Sequence, residues 1–141
     1  MNHHSDYWSS VLFKQLVGTN TLAIAGNTDT GRTIRLYAFC SRSMYGGVVL
    51  VAINVNDSPR NVAFQSSFSL APRQEYRLTA PGGNVSSTNI ELNGVTLVPG
   101  PFGQLPPLNP IVVESNTYIT LDPLSYAFFV FPDAAAPACS S

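Results

Sequence analysis

The stretch GGVVLVAINV, residues 46–55, decides the fold class of this chain. It is apolar from Val48 to Val55 except at Asn54, and it is rich in the β-branched residues that favour strands. A strand that is apolar on both faces must be covered on both faces. The run ends at NDSPR, residues 56–60, which has the residue types of a turn. We therefore expect a central strand buried between two layers.

The segments on either side show the period of two that is typical of half-buried strands. In TIRLYAFC, residues 33–40, the side chains alternate between two faces. One face carries Ile34, Leu36, Ala38 and Cys40, and the other carries Arg35, Tyr37 and Phe39. Further strands are predicted in NVAF (61–64), QEYRLTA (74–80), YITLD (118–122) and SYAFFVF (125–131).

Turn signals separate these strands. IELNGVTLV, residues 90–98, predicts a hairpin with Asn93 and Gly94 at its tip. The Pro-rich stretch PGPFGQLPPLNP, residues 99–110, predicts a crossover, because proline cannot donate a ladder hydrogen bond. Roughly seven to nine short strands with frequent turns are typical of a β-sandwich. The predicted fold class is mainly β, an antiparallel β-sandwich preceded by one α-helix.

That helix is predicted in SDYWSSVLFKQLVG, residues 5–18. Trp8, Leu12 and Leu16 recur every four residues and form an apolar stripe that neighbouring residues widen. Gly18 is of the type that ends a helix in the left-handed conformation. We expect Trp8 to lie in the core, and so wide a stripe calls for two neighbours.

Composition limits the function classes. The chain has 141 residues, which suits one domain with a real core, and 45% of them are hydrophobic while 11% are charged. The formal net charge of −1 argues against a basic face for nucleic acid. No apolar run is long enough to span a membrane, and Met1–Ser5 lacks the basic and apolar regions of a signal peptide, so we expect neither.

The sequence contains no recognisable catalytic constellation. The eight acidic residues fall at a helix start, in turns or beside strands, where solvated carboxylates are expected. No spacing indicates the paired carboxylates of a glycosidase. His3 and His4 are adjacent and terminal, which favours a disordered start over a metal site. We expect no catalytic residue, no metal ligand and no cofactor.

Two features leave alternatives open. Cys40 and Cys139 are either separate thiols of a cytosolic chain or a disulfide of a secreted one. Asn84, in NVSS, and Asn56, in NDS, are glycosylation sequons, which match secretory exposure but also arise by chance.

The face that carries Arg35, Tyr37 and Phe39 also has two interpretations. It is either a ligand-binding surface or a surface that meets a partner. The residues alone do not separate the two, because aromatic side chains suit both uses.

The order of these pieces resembles one known family. It is carried by SDYWSSVLFKQLVGTNTL, IRLYAFC, VVLVAINV, ELNGVTL, LPPLNP and LSYAFFVF, followed by a cysteine near the terminus. Together they resemble the C-terminal part of heparanase and of heparanase-like endo-β-glucuronidases, glycoside hydrolase family 79. The most specific matches are DYW…LFK.LVG and LNG.TL…LPPL.

The resemblance implies an architecture. Heparanases combine a (β/α)8 barrel with a β-sandwich, so residues 1–20 would be the last helix of a missing barrel and residues 21–141 the C-terminal β-sandwich. The implied partner is the barrel of the parent enzyme, which cleaves glucuronide bonds in glycans of the heparan sulfate type. The implied location is secreted, extracellular or lysosomal, with peripheral association with matrix or membrane.

The resemblance also bears on the active site and the cysteines. In that family the acid/base Glu follows an Asn on a barrel strand, and this chain has no Asn-Glu dipeptide. No catalytic residue is carried over, so the fragment alone is expected to be inactive. The family pattern pairs the cysteines that correspond to Cys40 and Cys139, which implies a disulfide.

One departure concerns glycan binding. Heparanases can carry a basic cluster before the LY strand, whereas this chain has only Arg32 and Arg35 there, opposed by Asp29. We expect at most weak contact between these arginines and heparan sulfate or a related glycan. The first hypothesis is an accessory module of a heparanase-like hydrolase. The alternative is a free-standing β-sandwich that binds carbohydrate or another partner.

Overall fold

A computed structural model of the chain describes residues 3–23, 34–62, 72–80, 89–98, 100–114 and 119–140, and the side chains of residues 3–6 are not described. This part of the chain contains one α-helix, ten β-strands and a short 3₁₀ helix. The elements are α1 (His3–Leu16), β1 (Val17–Leu22), β2 (Ile34–Ser41), β3 (Val48–Asn54), β4 (Arg60–Val62), β5 (Arg73–Thr79), β6 (Glu91–Leu92), β7 (Val95–Thr96), β8 (Ile111–Val113), β9 (Ile119–Leu121), β10 (Ser125–Phe131) and the 3₁₀ helix (Pro137–Cys139).

Eight strands form one antiparallel sheet. Its order is β1-β2-β3-β10-β5-β6-β7, and β8 pairs with β5 beside the short β6. The remaining two, β4 and β9, form a separate antiparallel pair. The predicted class, mainly β and antiparallel with one preceding helix, is confirmed.

The centre of the main sheet is the run that decides the fold. β3 pairs with β2 on one side and with β10 on the other, and Val51 lies opposite both Tyr37 and Phe128. Five consecutive residues, Val48 to Ala52, are buried. The expectation that both faces of this strand are covered is confirmed, and different elements cover them.

We call one side of the sheet the strand-covered face. It presents Leu50, Ala52, Ala127, Phe129 and Phe131, which pack with Val62, Ile119 and Leu121 of the β4–β9 pair. We call the other side the helix-covered face. It presents Val49, Val51, Phe128 and Val130, which pack with Trp8 and Leu12 of α1. The predicted core position of Trp8 is confirmed.

The helix and the first strand differ from the prediction. α1 begins at His3 and ends at Leu16, and β1 follows without a loop. Gly18 therefore does not stop the helix; it lies in β1 with a negative or extended φ. A Cβ on Gly18 would lie 2.9 Å from the Cys40 carbonyl oxygen, so glycine is needed here for the close approach of β1 to β2.

The hairpin at residues 90–98 is confirmed. β6 and β7 are joined by Asn93 and Gly94, whose φ angles of 51° and 84° are both positive, as a type I′ turn requires. β1 and β8 were not predicted, and residues 24–33, 63–71, 81–88, 99 and 115–118 lie outside the description. The proposed boundary between residues 1–20 and 21–141 stays a prediction.

Candidate interface

An apolar groove of about 330 Å³ lies on the helix-covered face, beside α1. Its walls are the helix on one side and strands β2, β3 and β10 on the other. The lining residues are Ser9, Ser10 and Phe13 of α1 with Tyr37, Phe39, Val51, Ile53, Tyr126 and Phe128 of the sheet. None of these described lining residues is charged.

The groove exists because α1 covers only part of its sheet face. Trp8 and Leu12 point into the core, whereas Phe13 lies at the margin of the helix and is 42% exposed. Its ring makes an edge-to-face contact with the ring of Phe39, with centroids 5.3 Å apart. Tyr37, two residues earlier on the same side of β2, is 45% exposed. The predicted surface with Tyr37 and Phe39 on one face is therefore present and open.

The chemistry of the groove suits another apolar surface. Among the described lining residues the polar side-chain groups are serine and tyrosine hydroxyls, and none is a guanidinium or ammonium group of the kind that fixes a sulfate or carboxylate. Exposed apolar patches of this kind mark interaction sites.

A cluster of ion-paired residues lies on the opposite face of the sheet. Nε of Arg73 is 2.7 Å from one Glu75 carboxylate oxygen, and Nε of Arg77 is 2.9 Å from the other. The Arg77 guanidinium also contacts Asp122 at 3.6 Å and lies over the Phe129 ring at 5.3 Å. Both carboxylate oxygens of Glu75 are thus held by guanidinium groups, which makes this buried residue part of the sheet rather than a free acid or base.

The described residues contain no group of three or more His, Cys, Asp or Glu side chains that could hold a metal ion. Within the same ranges, no helix is long and apolar enough to cross a membrane. The side chains of His3 and His4 lie outside the description.

The structure describes one of the two arginines proposed for weak glycan contact. Arg35 is exposed on β2, while Arg32 lies outside the described residues. Arg35 does not line the groove. Their role in glycan contact stays a prediction.

The implied disulfide is present between Cys40 of β2 and Cys139 of the 3₁₀ helix, with Cα atoms 5.3 Å apart. Backbone hydrogen bonds hold the same tail: Gly46 N donates to Cys139 O at 2.9 Å, and Ala136 N donates to Gly46 O at 3.0 Å. The Tyr45 hydroxyl also donates to the Ser140 carbonyl. The C-terminal tail is therefore attached along the β2–β3 turn.

The structure describes one of the two glycosylation sequons. Asn84 lies outside the described residues. Asn56 lies in the turn after β3, where its Oδ1 accepts from Arg60 Nη2 and its Nδ2 is buried without a hydrogen-bond partner in the described part of the chain. Because a glycan is attached through Nδ2, this turn would have to open for modification at Asn56. Glycosylation at either residue stays a prediction.

No family model matches the chain. Individual proteins do match it along almost its whole length. Heparanase-like protein 3 of Arabidopsis thaliana is 32% identical over 161 residues, which cover 96% of this chain and 30% of that protein.

The chain is related to the heparanases. Inactive heparanase-2 of Mus musculus is 30% identical, with 95% of this chain and 25% of that protein covered. Hyaluronoglucuronidase of Hirudo nipponia is 34% identical, with 95% and 28% covered. The chain spans about 30% of the length of the first of these relatives. The resemblance seen in the sequence is confirmed.

Part of the groove could not be found from the sequence. Tyr37 and Phe39 were candidates because they alternate with core residues on β2. Ile53 and Tyr126 were not, because only the pairing of β2, β3 and β10 brings them to the same surface. Ser9 and Ser10 belong to the polar side of the helix, and they line the groove because of the orientation in which α1 packs on the sheet.

Proposed function

We propose that this chain is a non-catalytic accessory β-domain of a heparanase-like glycoside hydrolase. Its role in the parent protein is to support the catalytic (β/α)8 barrel, and the groove beside α1 is part of the surface that contacts the barrel. The single observation that carries this proposal is the open, uncharged, aromatic groove on a sheet face that is otherwise part of the core.

Three further observations support the proposal. The chain aligns with about 30% or less of relatives that are several times its length. The aligned region is common to proteins named for different properties, a hyaluronoglucuronidase and an inactive heparanase. A region shared by an enzyme and an inactive relative is better suited to a structural role than to bond cleavage. The sequence also lacks the Asn-Glu dipeptide expected at the acid/base position.

The same proposal includes the compartment. Disulfides persist in oxidising environments, so the Cys40–Cys139 bond supports a secretory or lysosomal location for the parent. The parent's substrate class is a glucuronide-containing glycan of the heparan sulfate type.

A chimera tests the accessory role. The aligned region of the leech hyaluronoglucuronidase is replaced by this chain, and secretion and glucuronidase activity are measured. We expect the chimera with the unchanged chain to be secreted and active, because the groove beside α1 would contact the barrel of the hyaluronoglucuronidase. Tyr37→Asp places a charge on that face and is expected to lower the secreted activity strongly. Phe102→Asp is the matched control, since Phe102 is 88% exposed and lies outside the groove.

Three results would contradict the proposal. Equal activity for the Tyr37→Asp and Phe102→Asp chimeras would mean that the groove contacts nothing. Turnover of heparan sulfate or of an aryl glucuronide by the purified chain, lost when one of its own acids is changed, would make it an enzyme. Retention on heparin at physiological salt, with a steep salt dependence, would favour the carbohydrate-binding alternative instead.

A further inference from the structure

The side chain of Asn93 occupies a gap between two strands. One edge of β5 is paired with β8 at Arg73 to Glu75 and with β6 at Leu78 and Thr79. Since β10 pairs along the other edge, β6 and β8 share this one. The two strands do not meet, and the backbone groups of β5 between them need other partners.

Asn93 supplies those partners. The Arg77 N–H donates to Asn93 Oδ1 at 2.9 Å, and Asn93 Nδ2 donates to the Glu75 carbonyl at 3.0 Å. Nδ2 also donates to the Asn109 carbonyl at 3.2 Å, two residues before β8 begins. The Asn93 N–H donates to the Arg77 carbonyl at 2.8 Å. One amide side chain therefore links the hairpin and the approach to β8 to the same edge of β5.

The same residue is chemically vulnerable, because glycine follows it. Asn93-Gly94 is the sole Asn-Gly dipeptide in the sequence. Gly94 is exposed, and a Cβ built there would meet nothing within 4 Å. A backbone nitrogen that is not shielded by a side chain is the most accessible nucleophile for a neighbouring Asn amide.

We infer that Asn93 is a deamidation site that the native fold protects, and that its conversion releases β8 and the hairpin from β5. In the reaction the Gly94 nitrogen loses its proton and forms a bond to Asn93 Cγ, while the Cγ–Nδ2 bond breaks and ammonia leaves. Water then opens the cyclic imide, giving aspartate or isoaspartate. The net change is the uptake of one water and the loss of one ammonia.

Protection follows from the three side-chain hydrogen bonds. Cγ can be attacked only when the amide turns toward its own backbone, and that requires the contacts with Glu75, Arg77 and Asn109 to break. The reaction rate therefore depends on the population of the opened hairpin.

The release of β8 and the hairpin follows from the loss of the Asn93 Nδ2 hydrogen-bond donors. A carboxylate at position 93 has no N–H group, so the Glu75 and Asn109 carbonyls lose their partner and face negative charge instead. Isoaspartate additionally lengthens the backbone at a turn that requires positive φ at both residues. β8 is paired at only three positions, so it has little else to hold it.

The first experiment uses the unmodified 141-residue chain. It is incubated at mildly alkaline pH, folded or in denaturant with the disulfide intact, and peptides are mapped by mass spectrometry with isoaspartate detection. We expect Asn93 to be the main site in denaturant and to react at least about tenfold more slowly in the folded chain. Equal rates in the two states, or no reaction at Asn93 in denaturant, would overturn the inference.

The second experiment tests release. Asn93→Asp is compared with Asn61→Asp, which adds the same charge at an exposed position whose side chain, within the described part of the chain, accepts a hydrogen bond from Thr120. We expect faster hydrogen exchange in β8 and at Arg77 in Asn93→Asp, a lower Tm, and neither change in Asn61→Asp. Unchanged exchange in β8 and an unchanged Tm in Asn93→Asp would show that the amide does not hold these strands.

Discussion

The two faces of the eight-stranded sheet are closed to different extents. On the strand-covered face, Phe129 and Phe131 are fully buried beneath the β4–β9 pair. On the helix-covered face, one helix covers the sheet, and Phe13 and Tyr37 remain nearly half exposed beside a groove. The same strands supply both faces, since alternate residues point to opposite sides. What differs is how much of each side the described residues cover.

Within the described residues, this contrast shows which face of the sheet is closed. The strand-covered face has its apolar layer, its buried ion pairs and its disulfide within this chain. On the helix-covered face, the apolar side chains of the sheet extend beyond the area that α1 covers. A domain that functions next to a larger partner is expected to have one closed face and one open face.

The largest expected effect is on the closed face. Phe129→Ala removes a side chain with 0% exposure that also lies beneath the Arg77 guanidinium. Because the surrounding strands can collapse only partly, we expect the free energy of unfolding to fall by about 3–5 kcal/mol. Urea denaturation followed by circular dichroism measures the loss. A loss below about 1 kcal/mol would mean that this face is not the rigid core we describe.

A comparable effect is expected at the margin of the same face. Cys40 lies on the β2 side that carries Ile34 and Ala38, and Ala134 of the tail packs against that cluster. The disulfide spans 99 residues of sequence, so Cys139→Ser is expected to lower the free energy of unfolding by about 2–5 kcal/mol. The Tm of the Cys139→Ser variant should equal the Tm of the unchanged chain after its disulfide is reduced. A loss in only one of them would point to a cause other than the cross-link.

A small stability effect is expected in the groove. Tyr37→Ser removes a half-exposed ring, so we expect the free energy of unfolding to change by only about 1 kcal/mol. We also expect the isolated chain to self-associate through its open apolar surface and Tyr37→Ser to weaken that association, as measured by analytical ultracentrifugation. A loss as large as that of Phe129→Ala would show that the two faces are equally closed.

The smallest effect concerns pH. Burial raises the pKa of Tyr76, on the helix-covered face, above its usual value of 10.0. The folded chain thus holds this proton more tightly than the unfolded chain. The stabilisation is complete below pH 10.0 and is lost as the pH rises through the raised pKa of the folded state. We expect Tyr76→Phe to lose less stability above pH 10.0 than the unchanged chain, as measured by urea midpoints at several pH values.

The sequence predicted most of the strands that have strong local signals. Val48 to Ala52, the alternating residues of β2 and the Asn93-Gly94 turn each carry a pattern that depends on near neighbours alone. β1 and β8 lack such a pattern: VGTNTL is largely polar, and IVV is short and follows a Pro-rich crossover. They are strands because a neighbouring strand offers them an edge.

The sequence by itself therefore determined the fold class, the central buried strand, the hairpin and the relationship to heparanases, because periodicity, turn residues and motif order are local or linear properties. Tertiary structure alone decided which face is closed, where the groove lies and why the Asn93 amide bridges the gap between two strands. These depend on which distant segments meet, since strand pairing joins residues such as Val51 and Phe128 that no local pattern connects.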